Sequence, residues 1–183
     1  MSRIAALEPE TTDGKTRETL TVVKQMLGAV PNLFRVAANS PSTLEGLVGL
    51  NSSVSRGKLD AQTRSLLALA VAEANDCDYC LSANSALGAR AGLAKADLEL
   101  ARRATADDPK RSAMLAFTRK LVLTRGRISD AELEALESAG VDASETLELV
   151  ANAVLSIFMN YINLVAATDN DFPAVRGSVR GRT

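Results

Sequence analysis

Histidine and tryptophan are absent from this chain, and only two of its 183 residues are cysteine. Without histidine there is no Ser-His or Cys-His catalytic pair and no imidazole metal ligand. Aromatic residues make up 3% of the chain, and 21 Lys plus Arg face 22 Asp plus Glu. Such a sequence builds no basic surface interleaved with stacking rings, so a nucleic-acid partner is not expected. The first ten residues lack the long apolar core of a secretory signal, and no later apolar run reads as a clean membrane span. A cytoplasmic protein with no membrane partner is the expectation. In a reducing cytosol, a cysteine pair is more often catalytic, redox-sensing or metal-binding than structural.

Runs of alternating valine and threonine are also missing, while helical spacing and helix punctuation recur throughout; this predicts an all-α single-domain helical bundle. Asp13 precedes a helix that Pro31 ends, and Ser40 caps one that starts at Pro41 and stops near Gly57. Asp60 begins a helix to Ala74 that is apolar on nearly all sides and belongs in the core. A cysteine helix follows as far as Gly92, then helices over 95–104 and 109–124. Ser129 with Glu132, and Asp142 with Glu145, have capping-box spacing and predict helices over 130–139 and 143–168. Leu59-Asp-Ala and Val141-Asp-Ala each open an apolar helix, which suggests an internal helical duplication. The domain is expected over 1–172, with a flexible basic tail over 173–183.

The two cysteines, Cys77 and Cys80, stand three apart in Asp76-Cys-Asp-Tyr-Cys80. On a helix this spacing puts their Cβ atoms about 5–6 Å apart, within reach of a disulfide after small adjustments. The pair can therefore cycle between dithiol and disulfide. Asp76 is the expected N-cap after a break at Asn75-Asp76, with Cys77 opening the next helix, where the positive dipole end favours a thiolate. Asp76 and Asp78 oppose that effect. Zinc would require four ligands, so one chain could complete a site only with carboxylates, and an interchain site of two cysteine pairs stays open. A thioredoxin fold would need a βαβ setting that the flanks lack. Two inert cysteines buried at helical spacing are the plainest alternative.

Glu73 is the candidate base, four residues before Cys77. It shares a helical stripe with Cys77, Cys80 and Asn84 if the helix is continuous, whereas the break at Asn75-Asp76 would rotate it away. Partial burial would raise its pKa toward a useful range. Tyr79 could donate a hydrogen bond to substrate or pack at a contact. Phe158, Met159 and Tyr161 suit a core or an interface between subunits.

The stretch from Arg64 to Gly88 closely resembles the active-site signature of the carboxymuconolactone decarboxylase superfamily, in its alkylhydroperoxidase D-like, peroxidase-related branch. The likeness extends to Val30-Pro-Asn-Leu-Phe34, to Asn160-Tyr-Ile-Asn163 and to Asp169 through Pro173. It implies an all-helical, usually oligomeric fold in which a dithiol reduces hydroperoxides and a dithiol reductant or redox partner protein reduces the disulfide. By this resemblance Cys80 attacks the peroxide and Cys77 resolves the sulfenic acid, with no metal, flavin or other cofactor needed. Relatives carry a glutamate where this chain has Ser65 and a histidine where it has Asn84, and often another histidine in place of Leu164. Asparagine cannot take a proton as imidazole does, so the usual relay is missing and a slow enzyme is expected. The expected function is a peroxidase-related antioxidant oxidoreductase with Cys77, Cys80, Glu73 and Asn84 at its site. The alternatives are a dithiol redox sensor or redox-inactive scaffold on the same fold, and thirdly a decarboxylase-like enzyme. Two nearly all-apolar helices, around 66–72 and 149–166, point to a homo-oligomer.

Overall fold

A computed structural model describes residues 2–178, and among these it holds nine α-helices and no strand. They are α1 Gly14–Leu27, α2 Asn32–Ala37, α3 Pro41–Val54, α4 Ala61–Ala74, α5 Asp78–Arg90, α6 Lys95–Arg102, α7 Pro109–Leu123, α8 Asp130–Ser138 and α9 Ala143–Ala166. Side chains set the starts of most of them. Asp13, Ser40, Asp60, Asp108, Ser129 and Asp142 each accept a hydrogen bond from the backbone N–H three residues on. Each such cap is worth about 1 kcal/mol. Both expected capping boxes form, with Glu132 and Glu145 reaching back to the cap backbone.

The centre of the bundle is α4, which packs against α5, α6, α7 and α9. Leu66, Leu67, Leu69, Ala70, Val71 and Ala72 are all buried, so the helix has apolar neighbours around its whole circumference. Its position follows from composition: each leucine side chain taken from water contributes about 1.5–3 kcal/mol, and only a central helix buries them on every side. Against it lies α9, which by length and composition alone could cross a membrane. Its inner face carries buried Asn152, Ser156, Asn160 and Asn163, and it packs on α2, α3, α4, α5 and α7. Leu147, Val154, Tyr161 and Val165 stay exposed on its outer side.

The two Asp-capped apolar helices diverge in one respect. After Asp142, α9 runs unbroken for 24 residues, whereas α4 after Asp60 stops at 14. The stop is made by Asp76, whose φ of 52° places it in the left-handed region. The Cys77 N–H then donates to the Ala72 carbonyl at 3.0 Å and the Asp76 N–H to that of Glu73 at 3.2 Å, the two bonds of a Schellman ending. Aspartate is one of the few residues with a side chain that tolerates this conformation. The predicted break is therefore present, but Asp76 ends α4 and does not cap α5.

Short α2 has no counterpart among the expected helices, and neither does a single 3-10 turn at Pro9–Thr11. The chain beyond α9 is tied down as far as Ser178. The Val175 N–H donates to Ser82 Oγ at 2.9 Å, that of Gly177 to Asp78 Oδ1 at 2.9 Å, and that of Ser178 to Glu73 Oε1 at 2.7 Å. Arg102 donates to the carbonyl of Arg176 at 2.7 Å. Residues 173–178 of the expected free tail thus lie as a strap along α5, and 179–183 fall outside the described residues.

Candidate active site

With Asp76 spent on ending α4, the N-cap of α5 falls to Cys77. Its Sγ accepts from the Cys80 N–H at 3.4 Å, so sulfur occupies the place that a serine or aspartate oxygen usually takes. Cys77 and Cys80 are joined as a disulfide with Cα atoms 5.3 Å apart, inside the ordinary range for such a bond. Cap geometry and redox geometry are therefore the same feature.

The two sulfurs are not equivalent. Cys80, 4% exposed, lines a cavity of about 140 Å³, whereas Cys77, 1% exposed, does not line it. The cavity walls come from Leu27, Pro31, Leu33 and Phe34 on one side, Ala83 and Leu87 on α5, Met159 on α9, and Phe172 just before the strap. Polar atoms come from Asn51, Asn84, Ser156, Asn160 and Asn163. No Asp, Glu, Lys or Arg among the described residues lines it.

Asn163, on α9, donates from Nδ2 to Cys80 Sγ at 3.3 Å. Asn160, one turn earlier, accepts from Asn75 Nδ2 at 2.8 Å and so ties the end of α4 to α9 beside the site. Sequence reasoning cited both asparagines only within a resemblance and assigned them no role. A readable signal was present: polar residues at 152, 156, 160 and 163 follow helical spacing along an otherwise apolar helix, which marks a polar stripe facing inward.

Asn84 lines the cavity as expected, but its Nδ2 donates to the Cys80 backbone carbonyl at 2.9 Å, one turn back on α5. It faces the cavity without a hydrogen bond to either sulfur. Ser65, at the other relay position, returns its hydroxyl to the carbonyl of Ala61 at 2.9 Å.

Glu73 is not brought to the cavity, which corrects its assignment as the base. The left-handed turn at Asp76 separates the faces of α4 and α5, and Glu73 borders a different depression with Glu99, Arg102, Arg103 and Ser178. Its Oε2 accepts from Arg102 Nε at 2.7 Å, and its Oε1 from Ser178 Oγ at 2.5 Å. Burial pushes this carboxyl up, but the hydrogen bonds from Arg102 and Ser178 outweigh it and hold the pKa below the ordinary range. The expected upward shift is reversed. Glu73 is the anchor of the strap.

Tyr79 sends its ring into the cavity wall, edge-on to Phe172 with ring centroids 5.8 Å apart. Its hydroxyl is already engaged, accepting from the Leu33 N–H at 3.1 Å and hydrogen-bonding Asp171. Burial first, then the Asp171 carboxylate, push its pKa up and keep it neutral. Tyr79 thus joins α5 to the start of α2 and to Asp171 and Phe172, just before the strap.

Residues 41–120, covering α3 to most of α7, match the model of the Carboxymuconolactone decarboxylase family. Over that stretch the chain is similar to that family. Its fold is that of an uncharacterized peroxidase-related protein from Ralstonia eutropha JMP134, described as an alkylhydroperoxidase AhpD core. The TM-score is 0.84 at 22% identity, covering 93% of this chain and 92% of that one. A second uncharacterized peroxidase-related protein, from Silicibacter sp. TM1040, gives 0.77 at 22% identity over 90% of both chains. The debrominase Bmp8, in a variant bound to 2,3,4-tribromopyrrole, gives 0.75 at 18% identity over 86% of both. No curated protein matches the chain. At these identities the structural likeness shows the fold alone, and one fold can carry more than one chemistry.

Proposed function

We propose that the protein reduces hydroperoxides through a dithiol–disulfide cycle at Cys80 and Cys77. The observation that carries this reading is the asymmetry of the pair: both sulfurs are within bonding reach, and Cys80 alone borders the cavity. The Cys80 thiolate attacks the terminal oxygen of R–O–O–H. An S–O bond forms, the O–O bond breaks, and the departing alkoxide takes up the proton that the thiol released. The Cys77 thiol then condenses with the sulfenic acid, expelling water and forming the disulfide. A dithiol reductant or redox partner protein returns two electrons and two protons. None of these steps calls for a metal or an organic cofactor.

The site on α5 suits the first step. Cys80 lies in the first turn of a 13-residue helix, where unpaired N–H groups and the dipole favour a thiolate. With Glu73 turned away and Asn84 bonded to the backbone, no described side chain at the cavity takes a proton near neutral pH. Ionisation is left to the dipole and to hydrogen bonds, so turnover is slow. A reducing cytoplasm suits such a cycle, and the exposed apolar side of α9 supports self-association of the chain.

The reading is tested by following consumption of an organic hydroperoxide with dihydrolipoamide as reductant. The parent consumes it and Cys80→Ser does not; equal rates would refute the assignment. A dithiol sensor is the second reading, favoured by the strap, whose bonds to Asp78 and Ser82 fall on the disulfide-bearing helix. Oligomer size and tail proteolysis compared between oxidised and reduced protein test it, and identical behaviour in both states counts against it. For a decarboxylase acting on an anionic acid, the cavity offers no cationic partner among the described residues.

A further inference from the structure

Asn163 is 3% exposed, and the two polar atoms of its carboxamide have different fates. Nδ2 is hydrogen-bonded to Cys80 Sγ, while Oδ1 is buried with no hydrogen-bond partner among the described residues. A buried carbonyl oxygen without a donor is uncommon in a folded protein, because losing water without replacement costs free energy. Here the residue that carries it lines the cavity and touches the reactive sulfur. Its neighbours on the same stripe are engaged: Asn160 with Asn75, and Asn152 with the Glu148 carbonyl at 2.8 Å. Of the four side chains in the stripe, Asn163 alone has a fully buried oxygen without a hydrogen-bond partner among the described residues.

The geometry points to Asn163 as a catalytic residue that uses both ends of its amide: Nδ2 holds the Cys80 sulfur as a thiolate, and Oδ1 receives the O–H of the incoming substrate. This rests on the reading of Cys80 as the attacking thiol. The donor half supplies what the missing relay does not, since an N–H directed at sulfur favours the ionised form without accepting a proton. The acceptor half selects the substrate. A group that reacts here must carry a donor on the atom that sulfur attacks, as the terminal oxygen of a hydroperoxide does and neither oxygen of a dialkyl peroxide does.

The atoms balance without a further reactant. The hydrogen donated to Asn163 Oδ1 stays on the terminal oxygen while the S–O bond forms and the O–O bond breaks, and becomes the hydroxyl hydrogen of the sulfenic acid. Sulfur is oxidised, the hydroperoxide is reduced to an alcohol, and the leaving alkoxide takes the proton earlier lost by the thiol. The same amide then grips the sulfenic hydroxyl. Cys77, within bonding reach of Cys80, attacks sulfur and displaces that hydroxyl as water.

The test uses the full chain carrying Cys77→Ser, which leaves a good capping residue and makes Cys80 the only thiol. Its alkylation by iodoacetamide is followed against pH with Asn163 intact, with Asn163→Leu and with Asn163→Asp. Circular dichroism checks helix content in each. Losing the donor lowers the thiolate fraction about tenfold below the midpoint, raising that midpoint by about one pH unit in either variant. In single turnover with cumene hydroperoxide, the rate per thiolate falls further in Asn163→Leu, by about 10²-fold, and falls less in Asn163→Asp, which keeps an acceptor. Unchanged midpoints in both variants would overturn the proposal. Shifted midpoints with a parent protein inert to hydroperoxide would instead overturn the peroxidase reading and the acceptor role, leaving the amide–sulfur contact in place.

Discussion

Asn163 stands 83 residues after Cys80 in the chain, yet its Nδ2 lies 3.3 Å from the Cys80 sulfur. The contact joins α9 to the first turn of α5 and makes a polar corner in a cavity whose walls are otherwise mostly apolar. In the proposed cycle, hydrogen-bond donors and a helix N-terminus favour the thiolate at a site that has no histidine.

Adding back an imidazole should speed the reaction. Asn84 shares the cavity with Cys80, and a histidine there would bring a group that titrates near 6.5 to within one helical turn of the sulfur. Asn84→His is expected to raise peroxide consumption about 10²-fold at pH 7.5, with the gain fading below pH 6. A pH–rate profile checks this, and an unchanged rate would mean that proton transfer does not limit turnover.

Glu73 should matter for stability and not for chemistry. Its carboxyl titrates below the ordinary value of 4.5 in the folded protein, so its contribution is complete above that pH and is lost as pH falls through the lower folded value. Glu73→Gln is expected to cost about 1–3 kcal/mol at neutral pH and to loosen the strap. The gap in melting temperature between parent and variant should narrow as pH falls below 4.5 and close once the folded carboxyl is protonated. Cys80 alkylation should be unaffected, whereas a Glu73 that served as base would slow it.

Phe172 forms part of the cavity wall and meets Tyr79 edge-on at 5.8 Å. Phe172→Ala removes an aromatic pair worth about 0.5–1.5 kcal/mol and opens the wall. The expected result is a several-fold rise in KM for an aromatic hydroperoxide with little change for hydrogen peroxide, which makes no use of that surface. Equal effects on both substrates would place Phe172 outside the binding space.

On the outer side of α9, Tyr161 is 57% and Val165 65% exposed. If this face joins copies of the chain, Val165→Glu lowers the mass measured by light scattering without changing helix content. An unaltered mass would show that assembly, if any, uses another surface.

Much of the fold was legible because helix starts are local events. Asp13, Ser40, Asp60, Asp108, Ser129 and Asp142 announce themselves by residue type a few positions from what they cap. Six-residue α2 is too short to show a period, and it is held by Tyr79 from 46 residues away. Asp76 misled because aspartate serves both as an N-cap and as a left-handed stop, and only the backbone decides between them. The Arg- and Gly-rich end reads as a linker by composition, yet its backbone N–H groups find Ser82, Asp78 and Glu73 on α5 and α4. The spacing of Cys77 and Cys80 located the site. The partner of their sulfur lay 83 residues away, where the polar stripe of α9 marked an inward face but not the contact.

The central claim is that the two thiols form a reversible redox pair that an organic hydroperoxide can reach through the Cys80 cavity. Free thiols in the reduced protein should be counted, with intact mass, before and after one equivalent of cumene hydroperoxide. The account predicts two thiols falling to zero with the loss of two hydrogen atoms and no added oxygen, restored by a dithiol. Two thiols still titrating after exposure, at an unchanged mass, would contradict it.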